Sequence, residues 1–320
     1  MTLLALMVTG SVHAQDSGLV SHARASGPSA DEAATLEPIL QPFQPITGGE
    51  TKDSDDVNFM DVNLSVKIRL TPARFLPRWR PFFAMDTRFG FYWGSRPHSP
   101  VIGKTYNPEL LLRILPPSEG TLPGPGNRFE YAQFFEVGYA HESNGQLVHT
   151  LAQYQQQLLE TPGRDYANDF IHRGWDYLDG VWKKSFPAGT HHLTLDVEGK
   201  YFLPNGLLQG PEDEYHSWEQ SPEGKPRKSV DGVELSLDYP SEFAHFVDDG
   251  FDRIGRVNYS LKYLTGYAQF LEFSTVRAEV GAQFWSLPLA LWVQHGYMSS
   301  LANYYHKVDS VGLELRFPSF

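Results

Sequence analysis

Three residue types with catalytic potential fall close together in this chain. The stretch from Tyr131 to Gly145 reads YAQFFEVGYAHESNG, and within it His141 and Ser143 stand two apart. Side chains alternate across a strand, so both project from one face, together with Phe135, Val137 and Tyr139. A hydroxyl becomes a nucleophile when a neighbouring base takes its proton and a third group orients that base. Imidazole and hydroxyl supply the first two roles. On the following segment, Asp169 to Lys184, Asp176 shares the parity of Leu178 and Trp182. If those two face lipid, a carboxylate lies on the same apolar surface, about 5 Å across from the neighbouring strand. An unpaired carboxylate is costly there. A His and a Ser two apart also arise by chance in many strands, so spacing alone leaves a purely structural strand open.

The elements that must position these side chains are strands. Val62, Leu64, Val66, Ile68 and Leu70 alternate with Asn63, Ser65, Lys67 and Arg69. Phe83, Met85, Phe89, Phe91 and Trp93 continue the pattern, as do Leu193, Leu195, Val197 and Tyr201, then Val257, Tyr259, Leu261 and Tyr263. The last such run is Val311, Leu313, Leu315 and Phe317. Two architectures fit. In a soluble sandwich the apolar face is the core; in an outer-membrane barrel it meets lipid while polar residues line the interior. Segments of about ten residues, aromatics near their ends and a terminal Phe320 favour an all-β, antiparallel transmembrane β-barrel of about twelve strands.

Short and long connections should then alternate between the two rims. Arg96 to Gly103, Gln146 to Asn168, Pro204 to Asp252 and Ser299 to Lys307 are assigned outside. Pro116 to Gly126, Pro187 to Gly189, Thr265-Gly266 and Ser286 to Pro288 are assigned inside. Parity then requires an outer hairpin near Ser274-Thr275, splitting Tyr267 to Phe284 into two short strands. Val233, Leu235 and Leu237 also alternate but are placed in the long outer loop. A first, weak strand is expected within Ile39 to Ile46.

The N-terminus reads as an export signal over residues 1–14: Leu3 to Val8 form a short apolar core, and Val12-His13-Ala14 resembles a cleavage site. Residues 15–49 are polar and Pro/Ala-rich, an extension expected to be poorly ordered. Residues 50–320 form the barrel, with the reactive strands inside 129–145 and 169–184. The expected location is the bacterial outer membrane. No stretch approaches the roughly 18 consecutive apolar residues of a transmembrane helix. The chain has no cysteine, which excludes a disulfide framework and thiol-bound metal. Its net charge of -12 argues against nucleic acid, whose binding needs a basic face.

The segments Tyr139-Ala140-His141-Glu142-Ser143-Asn144-Gly145 and Arg173-Gly174-Trp175-Asp176 resemble the signature of bacterial outer membrane phospholipase A, which pairs H-x-S-N-G with a following S-R-x-W-N. Thr105 to Glu109 and Ile254-Gly255-Arg256 are looser echoes. The resemblance implies a twelve-stranded barrel with its site on the lipid-facing wall. It implies A1/A2-type hydrolysis of acyl esters in glycerophospholipids and lysophospholipids, with Ser143 as nucleophile and His141 as base. Asp176 takes the place of the orienting Asn, the backbone N–H of Asn144 donates to the oxyanion, and Gly145 permits the tight exit. It further implies the phospholipid bilayer as partner, a homodimer in the active state, and calcium. For calcium, Asp249, six residues before Gly255, matches the distal acidic ligand, while Asp165 and Asp169 are candidates in the loop between the motifs. The pattern departs at His172, which replaces the Ser of S-R-x-W and suits a hard cation poorly. The alternatives from other classes are a porin-like or structural barrel without chemistry, and a lipid A deacylase.

Overall fold

The structure is a computed structural model. It describes residues 37–317 except 56, 73–74, 97–99, 118–120, 124–128, 161–166, 189–190, 211–224, 242–253 and 285–286. The expected signal segment and residues 15–36 lie outside the described residues.

Twelve antiparallel strands close into a barrel. In chain order they are β1 (Ile46–Asp53), β2 (Asn58–Arg69), β3 (Trp79–Phe91), β4 (Val101–Ile114), β5 (Gln133–Ser143) and β6 (Gly174–Ala188). They continue with β7 (His191–Phe202), β8 (Gly232–Ser241), β9 (Ile254–Gly266), β10 (Ser274–Phe284), β11 (Leu287–Gly296) and β12 (Val308–Phe317). Each pairs with its sequence neighbour, and β12 closes on β1, with Ser310 opposite Asp53 and Phe317 opposite Ile46. The rim that carries Ser143 also carries the long connections 144–173, 203–231 and 297–307.

The alternation decides which face is which. Leu64, Val66, Ile68, Phe135, Val137, Leu291, Val293, Val311 and Leu313 are exposed, whereas Ser65, Lys67, Glu136, Glu279 and Glu314 are buried. Apolar groups therefore point outward and polar groups inward, the arrangement a bilayer selects and water does not. No helix among the described residues is long and apolar enough to cross a membrane; the apolar surface is carried by strands.

The interior is filled. Arg113 meets Glu136 at 2.6 Å, Lys262 meets Glu234 at 2.7 Å and Arg316 meets Glu279 at 2.6 Å. Near the short-turn rim Glu37 enters the lumen, bonding Arg80 and lying 3.3 Å from Arg113. Phe43 packs beside it on Phe82, Ala84 and Leu111. Near the long-loop rim, Trp175, Tyr177, Phe202, Val230, Leu301, Tyr304 and Tyr305 form an apolar plug. A ring of strands small enough for side chains to fill leaves no wide pore.

Several expectations change. Val233, Leu235 and Leu237 belong to strand β8, not to a loop, and Leu235 and Leu237 face outward like the rest of the wall. The outer hairpin expected near Ser274-Thr275 turns at 267–273, so residues 267–273 are not a strand, and Ser274 begins one uninterrupted strand, β10. The two errors offset each other in the strand count. With β8 restored, Thr265-Gly266 moves to the long-loop rim, and the connection after Ser241 to the opposite one. A short strand, Leu40–Gln41, does lie within Ile39 to Ile46, paired on β2 in line with the first barrel strand, Ile46–Asp53, so strand structure reaches into the expected extension. In β1 the Gly48-Gly49 pair replaces apolar residues. A Cβ at Gly49 would fall 2.2 Å from the Leu313 carbonyl oxygen, so closure of the barrel at this seam needs glycine. Of the expected reactive segments, 129–131 forms a separate small hairpin with 121–123, and β6 begins only at Gly174.

Candidate active site on the outer wall

Strand β5 ends at Ser143 because the next two residues cannot continue it outward. Asn144 turns inward and is 2% exposed. Its amide donates to the Ile171 carbonyl at 2.8 Å, and its side-chain oxygen accepts the Arg173 N–H at 2.9 Å. Gly145 takes the left-handed conformation (φ +54), where a side chain is strained. The chain thus turns sharply away from the wall just beyond the hydroxyl.

The three expected catalytic side chains are brought to one face. In the register of β5 with its neighbours, Ser143 lies between Tyr106 and Gly174, and His141 lies opposite Asp176. His141 Nδ1 is 2.5 Å from Asp176 Oδ1. That pairing leaves Nε2 as the nitrogen available to the hydroxyl. Neither Nε2 nor the Ser143 hydroxyl has a hydrogen-bond partner among the described residues. In unliganded sites such bonds are commonly long and tighten only with substrate.

Asp176 is fully buried although its strand faces lipid. The cover comes from the segment after β7. The Leu203 N–H donates to the Asp176 carbonyl at 2.8 Å, extending the ladder by one residue. Residues 204–209 then fold back across the wall. The N–H groups of Leu208 and Gln209 donate to Asp176 Oδ2 at 2.7 and 3.2 Å. The Tyr139 hydroxyl donates to the same oxygen at 2.5 Å and accepts the Leu207 N–H at 2.7 Å. With His141 on Oδ1, the carboxylate receives four donors, about the number of its lone-pair sites. This is how a charge is kept on a lipid-facing surface: its lost hydration is replaced by fixed donors.

Behind the site the inward residues of the same strands are packed. Trp175 stands edge-on to Tyr304 at 5.5 Å, and the Arg227 guanidinium lies 4.5 Å from the Trp175 ring. Arg227 in turn bonds Glu142 and, at 2.8 Å, Asp231. The wall carrying His141 and Asp176 is therefore backed by aromatic rings and a closed ion network.

Two expectations about the surroundings change. The Asn144 backbone N–H donates to the Arg173 carbonyl at 3.1 Å and is not available to an oxyanion; no acceptor among the described residues takes the Gly145 N–H. Of the expected calcium ligands, Asp169 alone is among the described residues. Asp169 is buried and bonded by Arg96 at 2.9 and 3.0 Å and by Asn303 at 2.9 Å. Burial holds its carboxyl above the ordinary range although Arg96 pulls it down. His172 stacks on His149, ring centres 4.3 Å apart. Asp165 and Asp249 lie outside the described residues. The strands flanking Asp249 end, at Ser241 and Ile254, on the rim opposite Ser143, because β8 is a strand and not loop. No group of three or more His, Asp or Glu side chains among the described residues could hold a metal ion. Asp169 and His172, the expected surroundings that are described, do not fit calcium: one is tied to Arg96 and Asn303, the other is an imidazole.

Sequence reasoning missed the covering segment and the role of Tyr139. Pro204-Asn205-Gly206 is turn chemistry and flags a sharp bend. Nothing local says where the bend leads.

No protein-family profile matches the chain, and no characterised protein matches it by sequence. Solved structures do. Outer membrane phospholipase A from Escherichia coli superposes with a TM-score of 0.56 at 15% identity, covering 88% of this chain and 98% of that one. The Salmonella typhi outer membrane phospholipase, solved as a dimer with bound calcium, gives 0.57 at 15% identity, covering 91% and 98%. The chain has the fold of outer membrane phospholipase A. An active-site variant of the E. coli phospholipase gives 0.58 at 16% identity over 90% of this chain. At such identity the likeness to the phospholipase A barrel is one of fold; what the wall can do rests on its own residues.

Proposed function

We propose that the protein is an outer-membrane phospholipase that hydrolyses acyl esters of glycerophospholipids and lysophospholipids on its lipid-facing wall. One observation carries this reading: a His141–Asp176 pair, with a serine hydroxyl two residues along the same face, stands on a surface made to meet acyl chains. A soluble substrate would not be sought there. A lipid in the leaflet brings its ester to the level of the rim.

The mechanism follows from the placement. Asp176 fixes the His141 ring through Nδ1 and stabilises it once protonated. Nε2 takes the Ser143 proton as Oγ attacks the ester carbonyl carbon. Negative charge then develops on the carbonyl oxygen, beside the Gly145 N–H, the backbone donor we assign to it in place of Asn144. Collapse breaks the bond to the glycerol oxygen, which takes the proton from His141 and leaves as the lysolipid. Water, deprotonated by His141, attacks the acyl-serine, and the fatty acid departs as Ser143 recovers its proton. The acyl chain has a path along the wall: an open trough lined by Leu70, Leu110, Leu112, Val137 and Leu178 runs from the strand positions next to the pair toward the other rim.

No step is assigned to calcium, because the described residues offer no site for it. By analogy with the dimeric Salmonella protein, two copies are proposed to pair in the membrane through their outer walls; cross-linking in vesicles tests this.

The decisive experiment is Ser143→Ala on the purified, refolded chain, with fatty acid release from phospholipid in mixed micelles as readout. Release should fall to background while heat-modifiable migration of the folded barrel is unchanged. Full activity in this variant overturns the assignment.

A further inference from the structure

An acid, Asp176, occupies the position where the resemblance calls for asparagine, and the covering segment supplies a physical reason. We propose that residues 203–209 form a backbone clamp specific for a carboxylate at position 176, with Tyr139 as its side-chain partner, and that the clamp positions the catalytic base. The catalytic part rests on the phospholipase reading; the clamp does not.

The chemistry is one of sign. Every group that reaches Asp176 Oδ2 is a donor: the Tyr139 hydroxyl at 2.5 Å and the N–H groups of Leu208 and Gln209 at 2.7 and 3.2 Å. Backbone donors cannot reverse. The Tyr139 hydroxyl donates to Oδ2 too, while its own oxygen accepts the Leu207 N–H. A carboxylate satisfies all of them and still offers Oδ1 to the Nδ1–H of His141. An amide cannot. With its oxygen toward His141, its NH₂ meets two N–H groups; turned round, its NH₂ meets Nδ1, which accepts only when the ring proton sits on Nε2, the tautomer that cannot take the Ser143 proton. One orientation leaves the clamp's N–H groups unsatisfied, and the other satisfies them with a neutral acceptor but disables the base, so only a carboxylate serves both.

Steric fit makes the clamp equally demanding. A Cβ at Gly206 would lie 1.9 Å from Asp176 Oδ2 and 2.1 Å from its Cβ. The backbone conformation at Gly206 is one that any residue adopts, so the glycine serves close approach and not turn geometry. Leu207, 88% exposed, and Leu208, 61% exposed, cover the carboxylate and extend the apolar wall over it. The base is thereby oriented by a charge that neither lipid nor water reaches.

The test has two arms on the full-length chain in detergent micelles. In the first, hydrogen exchange is followed by mass spectrometry over a peptide spanning 203–210. The Leu208 and Gln209 amides should be protected, and Asp176→Asn should speed their exchange by about ten-fold, because a charged acceptor is replaced by at best a neutral one. Unprotected amides in the unaltered chain, or protection that survives Asp176→Asn, overturn the clamp. This arm needs no enzyme activity, so it decides the clamp even if the chain hydrolyses no lipid, a result that would sink only the phospholipase reading. In the second arm, Gly206→Ala should lower kcat by about ten-fold with KM little changed, since roughly 1.4 kcal/mol of positioning is lost. Asp176→Asn should lower it further, and the double variant should match Asp176→Asn alone, because both act through one contact. Effects that multiply, or a Gly206→Ala loss confined to KM, overturn the positioning role.

Discussion

Asn144 sits one residue beyond Ser143, the proposed nucleophile, and its replacement by alanine tests whether it is a lock or a participant in chemistry. The side chain makes two well-formed bonds, to the Ile171 carbonyl at 2.8 Å and from the Arg173 N–H at 2.9 Å, and a long one from the Gln146 N–H at 3.4 Å. Arg173 is fully buried and Asn144 nearly so. Removing the amide therefore strands two backbone groups at about 1–3 kcal/mol each, a total on the order of 3 kcal/mol once partial water entry is allowed. With a denaturant slope of about 2–3 kcal/mol/M for a chain of this size, the urea midpoint should fall by about 1 M. Asn144→Asp is the sharper control. It keeps an acceptor for Arg173 but turns an oxygen toward the Ile171 carbonyl, so it should be no more stable than the alanine variant. The assay is reversible unfolding of the refolded barrel, followed by tryptophan fluorescence and by heat-modifiable migration. At low urea, where the alanine variant is folded, hydrolysis should persist within about ten-fold, because the backbone N–H near the oxyanion is assigned to Gly145 and not to this side chain. A midpoint within about 0.3 M of the unaltered chain would refute the lock.

Two further outcomes follow from the barrel itself. Glu37→Ala should cost about 3 kcal/mol, since it leaves Arg80, fully buried and otherwise bonded to Tyr131 and the Pro77 carbonyl, without its counter-charge; thermal unfolding in micelles checks this. Gly49→Ala should impair closure at the β1–β12 seam, where its Cβ would overlap the Leu313 carbonyl, and pulse-labelled refolding should show a smaller folded fraction in this variant than in Gly48→Ala, whose Cβ meets open space.

Much of this was legible in the chain. Period-two alternation is a property of each strand alone, so Leu64 with Val66 and Ile68, or Phe135 with Val137, declared one face without knowledge of the partner strand. The same rule placed His141, Ser143 and Asp176 on that face, and the register then set His141 opposite Asp176. Where alternation is brief or interrupted, the reading failed. Val233, Leu235 and Leu237 alternate over too short a run to be told from loop, and the barrel's parity was met instead by reading the turn 267–273 as a strand. In β1, Gly49 breaks the pattern because the neighbouring strand comes too close for a side chain there, a fact that resides in β12 and not in β1.

The sequence by itself therefore determined the wall, its outward face and the three side chains upon it, since these depend on local periodicity and residue chemistry. Only the tertiary structure decided that the Asn144 N–H is already engaged, that Asp169 is tied to Arg96, and that residues 203–209 return to cover Asp176. Each of these is a contact between segments whose separation along the chain carries no periodic signal. Hydrogen-bond satisfaction and close approach are properties of the assembled barrel, and they settle which groups remain free to react.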